Sequence, residues 1–473
     1  MISNEQTAHL FDALVDRVLE RLNSSASEVS DPSPLKFSAK SGLFDSLDEA
    51  VHAAIEAQTE WTRLPLQKRK EIIAAVRRSC EGEVQLLARM AVEETGLGRV
   101  DDKIRKNLLV IHKTPGIEDV EPEVFTGDDG MTLLERAPFG VIGAITPCTN
   151  PTETIICNSI GMIAAGNSVV FCPHPLAKGV CARVVDIINR AIVEGGGPHH
   201  LLTALYDPTI EKAQQLMKHP KIKLLVVTGG PGVVKEAMNS GKKVIAAGPG
   251  NPPVVVDETA DLEQAGRDIV LGASLDNNIV CTAEKEIFCV ETAADGLLSA
   301  MKKNGAYIVN SYQLKQLEKI VLKDNAPDKK FIGKDAQLIL KEVGVTVGKE
   351  IRLIVAETSA QHPFVMQEMM MPIIPLVRVR DVQQAIALAK EAEHGYGHSA
   401  IMHSKNIDNL HQMASQIGTA IFVKNAPNYA GLGLGGEGFT SFTIASPTGE
   451  GLTSAKNFTK LRRCVLKDRF RII

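Results

Sequence analysis

The sequence predicts an α/β protein with two doubly wound domains, each built on a parallel sheet. Short apolar runs rich in β-branched residues alternate with segments of helical periodicity over residues 141–247 and again over 254–423. Runs of this kind are typical of strands buried on both faces, as in parallel sheets covered by helices. The 473 residues leave room for two or three domains with sizeable cores.

Composition excludes several classes of protein. The net charge of −4 gives no reason to expect nucleic acid, and we find neither an apolar run long enough for a membrane span nor a secretory signal. The eight cysteines form no Cys-x-x-Cys pair, and the twelve histidines are scattered. We therefore expect a reduced, cytoplasmic protein with free thiols and no metal site.

The first 40 residues differ in composition from the rest. Residues 1–22 carry one apolar stripe at helical spacing, formed by Leu10, Phe11, Leu14, Val15, Val18, Leu19 and Leu22. Residues 23–40 are rich in Ser and contain Pro32 and Pro34, as expected of a linker. The stripe needs a surface to cover it. The helix could fold back on the body, pair with itself in an oligomer, or dock on a partner protein.

Helical patterns run from Ser46 to about Lys113, and residues 122–136 then predict a hairpin around a glycine-bounded polar turn. Beyond it we expect strands at Val141–Ile145, Ser168–Phe171, Leu201–Leu205, Leu224–Val227, Val244–Ala247, Val254–Val256, Glu286–Val290, Leu353–Ala356, Ile374–Val379 and Ile421–Val423. A last alternating segment, Phe458–Leu466, predicts an edge or intersubunit strand. The predicted domain ranges are 41–248 and 249–437, with a C-terminal segment at 438–473.

One cysteine lies on a connection between two predicted elements. Cys281 follows an amphipathic helix at Asp261–Ser274 and precedes the buried strand Glu286–Val290. A side chain on such a connection can face a ligand cleft. A lone cysteine is nonetheless most often a small buried hydrophobe, so position alone leaves both interpretations open.

Two further segments follow predicted strands. Thr228-Gly229-Gly230-Pro231-Gly232 opens a helix, where glycines let a phosphate approach backbone amides. The full G-x-G-x-x-G spacing is broken by Lys235, and a tight turn needs glycine in any case. Asn150 ends the segment Thr146-Pro147-Cys148-Thr149-Asn150, and its amide could stabilise an oxyanion or simply serve a turn before Pro151.

Taken together, these motifs resemble the aldehyde dehydrogenase superfamily over nearly the whole chain after the linker. The matching segments are Thr146–Pro151, Ala164–Val170, Thr228–Gly230, Val280-Cys281, and Gln367-Glu368-Met369 with Pro372. The resemblance implies Cys281 as nucleophile and Asn150 as oxyanion donor. It also implies a nucleotide-binding domain at 41–248 and a catalytic domain at 249–437. The residues that it implies for binding NAD are Thr146, Pro147, His174, Thr228, Gly229, Gly230, Gly248 and Glu368.

At several positions this sequence differs from the hydrolytic members of the superfamily, and these differences indicate which members it resembles. Those members use a glutamate to activate the deacylating water, where this sequence has Ala246. They place a lysine and a glutamate on the adenosine ribose, where this sequence has Cys172 and Pro175, which leaves NAD versus NADP open. His174-Pro175, Gly248–Asn251 and Thr448–Ala455 resemble the CoA-acylating aldehyde dehydrogenases instead.

The resemblance implies oxidation of propionaldehyde or acetaldehyde with NAD and coenzyme A to an acyl-CoA. The helix at 1–22 resembles the encapsulation peptide of members found in bacterial microcompartments, which implies docking to shell or core proteins there. The hairpin and C-terminal strand resemble elements that build a homodimer or homotetramer. Two alternatives are a hydrolytic enzyme that releases the free acid and a non-catalytic shell-docking protein on this fold.

Overall fold

A computed structural model describes residues 41–471. The predicted helix at 1–22 and the linker at 23–40 lie outside the described residues. The described chain forms two compact units. The first-sheet unit comprises residues 41–94, Lys106–Ala247 and 439–471, and the second-sheet unit comprises Thr95–Arg105 and Gly248–Gly438. The sequence gives no sign that residues 95–105 group apart from their neighbours.

Helices and strands alternate along most of the described chain. The helices are α1 (Leu47–Arg63), α2 (Leu66–Gly82), α3 (Val84–Thr95), α4 (Val100–Lys113), α5 (Pro151–Ala164), α6 (Lys178–Glu194), α7 (Ile210–Lys218), α8 (Pro231–Met238), α9 (Leu262–Ser274), α10 (Glu291–Lys303), α11 (Ser311–Val321), α12 (Ala336–Glu342), α13 (Pro363–Met366), α14 (Val382–Ala392) and α15 (Ile407–Ile417). The strands are β1 (Leu43–Phe44), β2 (Glu123–Gly127), β3 (Gly130–Pro138), β4 (Val141–Thr146), β5 (Ser168–Pro173), β6 (Leu202–Leu205), β7 (Leu224–Thr228), β8 (Lys243–Ala247), β9 (Pro253–Val256), β10 (Glu286–Val290), β11 (Ala306–Val309), β12 (Leu322–Lys323), β13 (Ala326–Pro327), β14 (Leu353–Glu357), β15 (Ile373–Val379), β16 (Ser399–His403), β17 (Ile421–Lys424), β18 (Ile444–Ala445), β19 (Gly451–Leu452) and β20 (Thr459–Lys467).

The first-sheet unit is built on a six-stranded parallel sheet in the order β1-β6-β5-β4-β7-β8. From β4 the chain moves to one side through β5 and β6, then returns to pair β7 on the other side of β4. In such sheets, ligands bind where the strand order reverses, at the carboxyl ends of the strands. That point lies here between β4 and β7, and the parallel sheet expected from the sequence is confirmed.

A second, antiparallel sheet in the same unit joins the predicted hairpin to the C-terminus. Strands β2 and β3 pair in register from Glu123 opposite Leu134 to Gly127 opposite Gly130. Strand β20 then pairs with β3 over its whole length. The hairpin and the C-terminal strand are thus both confirmed, and the C-terminal strand belongs to the hairpin's sheet.

The second-sheet unit contains a seven-stranded parallel sheet in the order β11-β14-β15-β10-β9-β16-β17. The five strands expected here from the sequence are present. Strands β11 and β16 are additional, with β11 at one edge and β16 between β9 and β17. Fully buried aliphatic residues of β9, β10 and β15 pack against α14 and α15 and form the core that supports β10.

Side chains cap the starts of α1 and α9. Ser46 Oγ accepts a hydrogen bond from Glu49 N–H at 3.4 Å and caps the start of α1. Asp261 Oδ1 accepts from Gln264 N–H at 3.2 Å and so fixes the start of α9. Within residues 41–471, the structure contains no helix that is both long and apolar enough to cross a membrane.

Candidate active site

Cys281 lies between the end of α9 and the start of β10, as the sequence predicts, and its side chain is partly exposed. The preceding Asp276, Asn277 and Asn278 all have left-handed backbone conformations, with φ of 48°, 55° and 67°. Such conformations are costly for residues other than glycine, although Asn and Asp tolerate them best. Three in succession require side-chain contacts that hold them. We refer to Asp276–Thr282 as the nucleophile loop.

The side chains of Asn278 and Lys285 hold the nucleophile loop by hydrogen bonds to its own residues and to its flanking residues. Asn278 Nδ2 donates to Ala273 O at 2.7 Å and to Glu284 O at 2.9 Å, so one amide ties the end of α9 to the residues before β10. Lys285 Nζ donates to Asn278 O and to Asn278 Oδ1, both at 2.7 Å, and contacts Val280 O at 3.4 Å. The loop is therefore fixed by hydrogen bonds from buried groups on both sides of Cys281.

A buried ion pair anchors the start of the loop. Lys103 Nζ lies 3.0 Å from Asp276 Oδ2, and neither side chain has any solvent exposure. Asp276 Oδ1 accepts from Arg99 N–H at 2.7 Å, and Asp276 N–H donates to Asp102 Oδ2 at 3.0 Å. A side chain at Gly98, where φ is +77°, would collide with the Asp276 carboxylate. Residues 95–105 thus act as the support of the nucleophile loop.

Gly250 lies between the His398 ring and the backbone of Cys281. A Cβ on Gly250 would lie 2.7 Å from Cys281 O and 3.0 Å from His398 Cγ, so only glycine fits. The His398 side chain is buried, its Nδ1 lies 3.0 Å from Ser399 Oγ, and its Nε2 has no hydrogen-bond partner among the described residues. Burial, together with the Lys285 charge, lowers the pKa of His398 to about 4 and keeps the ring neutral at pH 7.

Glu368, which the resemblance places near the nicotinamide ribose, lies after α13 in the second-sheet unit. Burial raises the pKa of its carboxyl group, while the Lys285 ammonium and the Gly250 N–H oppose that rise. Lys285 therefore acts electrostatically on two predicted site residues, Glu368 and Cys281, and both raise the pKa of Lys285 against the effect of its burial. The structure brings Cys281, Glu368 and Lys285 together within one unit.

Asn150 lies in the first-sheet unit, where it precedes α5 at the carboxyl end of β4. Its side chain is buried, and its Oδ1 accepts a hydrogen bond from Lys106 Nζ at 2.6 Å. The same ammonium lies 2.9 Å from Glu153 Oε1, and both of those side chains are buried. Because Lys106 occupies the carbonyl end of the amide, Nδ2 is the end turned toward Thr149 Oγ1, at 3.4 Å. The orientation of the amide is thus set by a buried charge pair.

The predicted cofactor residues of this unit lie at the carboxyl ends of three neighbouring strands: Thr146 and Pro147 at β4, His174 at β5, and Thr228, Gly229 and Gly230 at β7. Gly248 directly follows β8 in sequence and is the first residue of the long segment of the second-sheet unit. The Thr146 side chain is buried and interacts with the Cys181 thiol. Thr228 Oγ1 lies 3.2 Å from Thr443 Oγ1. Thr146, Pro147 and Thr228–Gly230 therefore lie at the ends of the two strands between which strand order reverses.

Two positions that depart from the hydrolytic pattern lie in the core. Ala246 and Cys172 belong to the hydrophobic cluster of the first sheet and are 0% and 2% exposed. Burial raises the pKa of the Cys172 thiol to about 12, so it stays protonated. Neither side chain can supply a carboxylate or an ammonium.

Sequence reasoning missed three polar residues of these clusters, Lys106, Lys285 and His398. The charged run Glu284-Lys285-Glu286 at the start of a buried strand was a usable signal for Lys285, because charges are rarely placed there without a partner. Nothing in the spacing of Lys106 or His398 distinguishes them from surface residues.

Comparison with known proteins gives a consistent result. A model of the aldehyde dehydrogenase family matches residues 28–443. Acetaldehyde dehydrogenase (acetylating) EutE of Salmonella typhimurium is 51% identical over 439 residues, which cover 91% of this chain and 94% of that protein. The CoA-propanoylating propanal dehydrogenase of the same organism is 46% identical over 432 residues, with 91% and 93% covered.

Solved structures of related proteins are also similar to this structure over most of their length. Rhodopseudomonas palustris propionaldehyde dehydrogenase, with bound CoA and an acylated cysteine, superimposes with a TM-score of 0.89 at 51% identity and covers 90% of this chain and 98% of its own. An engineered glycolyl-CoA reductase with bound NADP⁺ gives 0.90 at 50% identity, with 92% and 99% covered. A propionaldehyde dehydrogenase from the fucose utilisation microcompartment of Clostridium phytofermentans gives 0.90 at 48% identity, with 91% and 100% covered. The chain belongs to the aldehyde dehydrogenase family, and its relatives at 46–51% identity are CoA-acylating members.

Proposed function

We propose that this protein oxidises a short aliphatic aldehyde, propionaldehyde or acetaldehyde, with a nicotinamide cofactor and coenzyme A to the acyl-CoA, through a thioester on Cys281. The proposal rests on the side chains found at two positions, 281 and 246. Cys281 is a partly exposed thiol on a loop fixed by buried groups, and Ala246 is an aliphatic residue where hydrolytic members carry their base. Relatives at 46–51% identity that are named as CoA-acylating enzymes support it.

The first-sheet unit fits a nicotinamide dinucleotide. Its strand order reverses between β4 and β7, and Thr146 and the turn at Thr228–Gly230 lie at the ends of those two strands. Pro147, His174, Gly248 and Glu368 complete the proposed set, with Glu368 on the nicotinamide ribose. The bound cofactor supplies the two-electron acceptor for aldehyde oxidation. Cys172 and Pro175 leave NAD and NADP both compatible.

The residues of the chain supply the covalent step and its charge stabilisation. The Cys281 thiolate attacks the aldehyde carbon and forms the C–S bond, and negative charge develops on the aldehyde oxygen. The proposed donors to that oxygen are the Cys281 N–H and the Asn150 amide, each held in position within its own unit. One such donor is typically worth ~3 kcal/mol in the transition state. After oxidation the acyl group remains on Cys281 as a thioester.

The fate of that thioester follows from Ala246. Water needs a base to attack a thioester at neutral pH, and an alanine methyl cannot serve as one. A CoA thiol is already partly ionised and is intrinsically more nucleophilic, so it can take the acyl group and release the Cys281 thiolate. The alanine thus favours transfer to CoA over hydrolysis.

The deciding experiment follows NADH formation from propionaldehyde and NAD with and without CoA, with the product identified by mass. Steady turnover only with CoA, ending in propionyl-CoA, supports the proposal. Steady turnover without CoA, ending in propionate, contradicts it. Cys281→Ala should abolish turnover, whereas Cys464→Ser, at an exposed thiol on β20, should leave it unchanged.

We further propose a homodimer or homotetramer that uses the three-stranded sheet, and a cytoplasmic location inside a bacterial microcompartment. The sheet exposes large apolar side chains at Val124, Phe125, Leu461 and Val465, which are 54–59% exposed. Such residues mark association surfaces when they cluster. Residues 1–22 are the proposed docking segment for shell or core proteins. Their deletion should leave activity intact and abolish co-localisation with shell proteins; loss of soluble, active enzyme would argue for a structural role instead.

A further inference from the structure

Lys285 is a buried cation with an unusual set of partners. Its side chain is among the largest fully buried ones of residues 41–471. Its ammonium donates to a main-chain oxygen and the side-chain oxygen of Asn278 and contacts Val280 O. No carboxylate of the described residues lies within ion-pair distance of it. A buried ammonium without a paired carboxylate is expensive, so its position calls for a reason other than stability.

The first consequence of this arrangement is geometric. In a trans peptide the carbonyl of one residue and the N–H of the next point in opposite directions. Val280 O accepts from Ala283 N–H at 3.0 Å and faces Lys285 Nζ at 3.4 Å, which fixes the plane of the 280–281 peptide. The Cys281 N–H must therefore point to the opposite side, away from Lys285. Lys285 and the Ala283 N–H thus together set the direction of the proposed oxyanion donor.

The second consequence is electrostatic. Since no salt bridge neutralises Lys285 directly, its field extends over the groups around it. The titratable groups that interact with it are Cys281, Glu284, Glu286, Glu368 and His398. Burial raises the pKa of Glu284 to about 8 and that of Glu286 well above its usual range, so both carry little negative charge at pH 7. His398 is neutral there. Burial lowers the pKa of Lys285, its acidic neighbours oppose that effect, and its ammonium interacts directly with the Cys281 thiolate.

We infer that Lys285 is a positioning residue of the active site, which holds the nucleophile loop by its carbonyl oxygens and stabilises the Cys281 thiolate by its charge. The inference rests on the proposed role of Cys281 as nucleophile. It assigns to Lys285 a double task, orientation of the 280–281 peptide and ionisation of the thiol. The two tasks can be measured separately.

The test is the pH dependence of Cys281 alkylation by iodoacetamide, from about pH 6 to pH 10, followed on the Cys281 peptide by mass spectrometry. Lys285→Met removes the charge and the donors, and Lys285→Arg keeps the charge. The matched control is Lys242→Met, because Lys242 Nζ also donates to two backbone carbonyls, at 2.6 and 3.0 Å, in the first-sheet unit. We expect Lys285→Met to raise the thiol pKa by about one unit and slow alkylation near neutral pH about tenfold.

Lys285→Arg should keep the alkylation profile near that of the wild type while lowering kcat, because a planar guanidinium cannot reproduce the three contacts of an ammonium. Lys242→Met should change neither. An unchanged alkylation profile in Lys285→Met overturns the inference, even if that variant melts earlier. Should Lys285→Met not fold, Lys285→Gln is judged by the same criterion. The alkylation assay needs neither aldehyde nor CoA, so failure of the proposed function, seen as full turnover by Cys281→Ala, is a separate outcome.

Discussion

Lys106 donates a 2.6 Å hydrogen bond to the side-chain oxygen of Asn150, and both side chains are buried. This bond decides which end of the amide is free to act. A carboxamide whose oxygen is held by an ammonium offers its NH₂ group to the other side. In the proposed mechanism that group faces the oxyanion, so Lys106 acts on the reaction through Asn150.

Replacing Lys106 by Met should therefore lower kcat by about 10- to 100-fold, which corresponds to partial loss of one oxyanion donor. In an Asn150→Ala background the same replacement should add little, because the amide that Lys106 orients is already gone. Steady-state kinetics of the four enzymes in the cycle measure this. Lys330→Met, which removes an exposed ammonium 3.7 Å from Glu342, is the control. Full additivity of the two losses would show that Lys106 does not act through Asn150.

The elements that the sequence predicts are determined by their own residues, whereas the elements that it does not predict depend on contacts with distant segments. Strands such as β4 and β10 are continuous apolar runs, so their type can be inferred from the residues alone. Strand β16 (Ser399–His403) contains one β-branched residue, Ile401, and becomes a strand because β9 and β17 flank it. Strand order likewise depends on contacts between distant segments.

The same distinction holds for the site. Cys281, Asn150 and Glu368 were predictable because they belong to motifs shared with a family, and their roles stay predictions. Lys106 and Lys285 belong to none of these motifs, and the burial of a lysine, which is usually exposed, depends on tertiary packing. Lys106 meets Asn150 across 44 residues of sequence. A contact of that separation is not visible in periodicity or composition.

Glu284 should make the protein less stable as pH rises above about 4.5. Its carboxyl is fully buried, it accepts a hydrogen bond from Asn428 N–H at 2.8 Å, and burial raises its pKa to about 8. Between the ordinary pKa of glutamate and this value the native state holds a proton that the unfolded chain has lost, so the free energy of unfolding falls by up to ~1.4 kcal/mol per pH unit. Glu284→Gln should remove this slope, as urea unfolding at pH 5 and pH 7.5 would measure.

The control for that experiment is Glu391→Gln, at an exposed position at the end of α14. It should leave the pH dependence as in the wild type. If Glu284→Gln and the wild type lose stability equally between the two pH values, Glu284 is ionised in the native state and the assignment of a buried neutral acid is wrong.

His403 should make the protein less stable as the pH falls below about 6.5. It is buried on β16, and burial lowers its pKa to about 4. Between about pH 6.5 and pH 4 the unfolded chain binds a proton that the native state does not, so stability is lost as pH falls, by up to ~1.4 kcal/mol per unit. His403→Gln should lose less stability than the wild type between pH 7 and pH 5. His52→Gln, at an exposed site, should behave like the wild type; equal slopes in all three proteins would contradict the prediction.

Removing one member of the Lys103–Asp276 ion pair should destabilise the protein more than removing both. Asp276→Asn leaves the Lys103 ammonium buried without its carboxylate, and breaking a buried ion pair on one side costs ~3–5 kcal/mol. The double variant Lys103→Met/Asp276→Asn removes both charges and keeps an oxygen that can accept from Arg99 N–H, so it should recover part of that loss. Urea unfolding of the two single variants and the double variant gives the coupling free energy. A double variant no more stable than Asp276→Asn alone would mean that the carboxylate serves the left-handed turn of the nucleophile loop rather than the charge of Lys103.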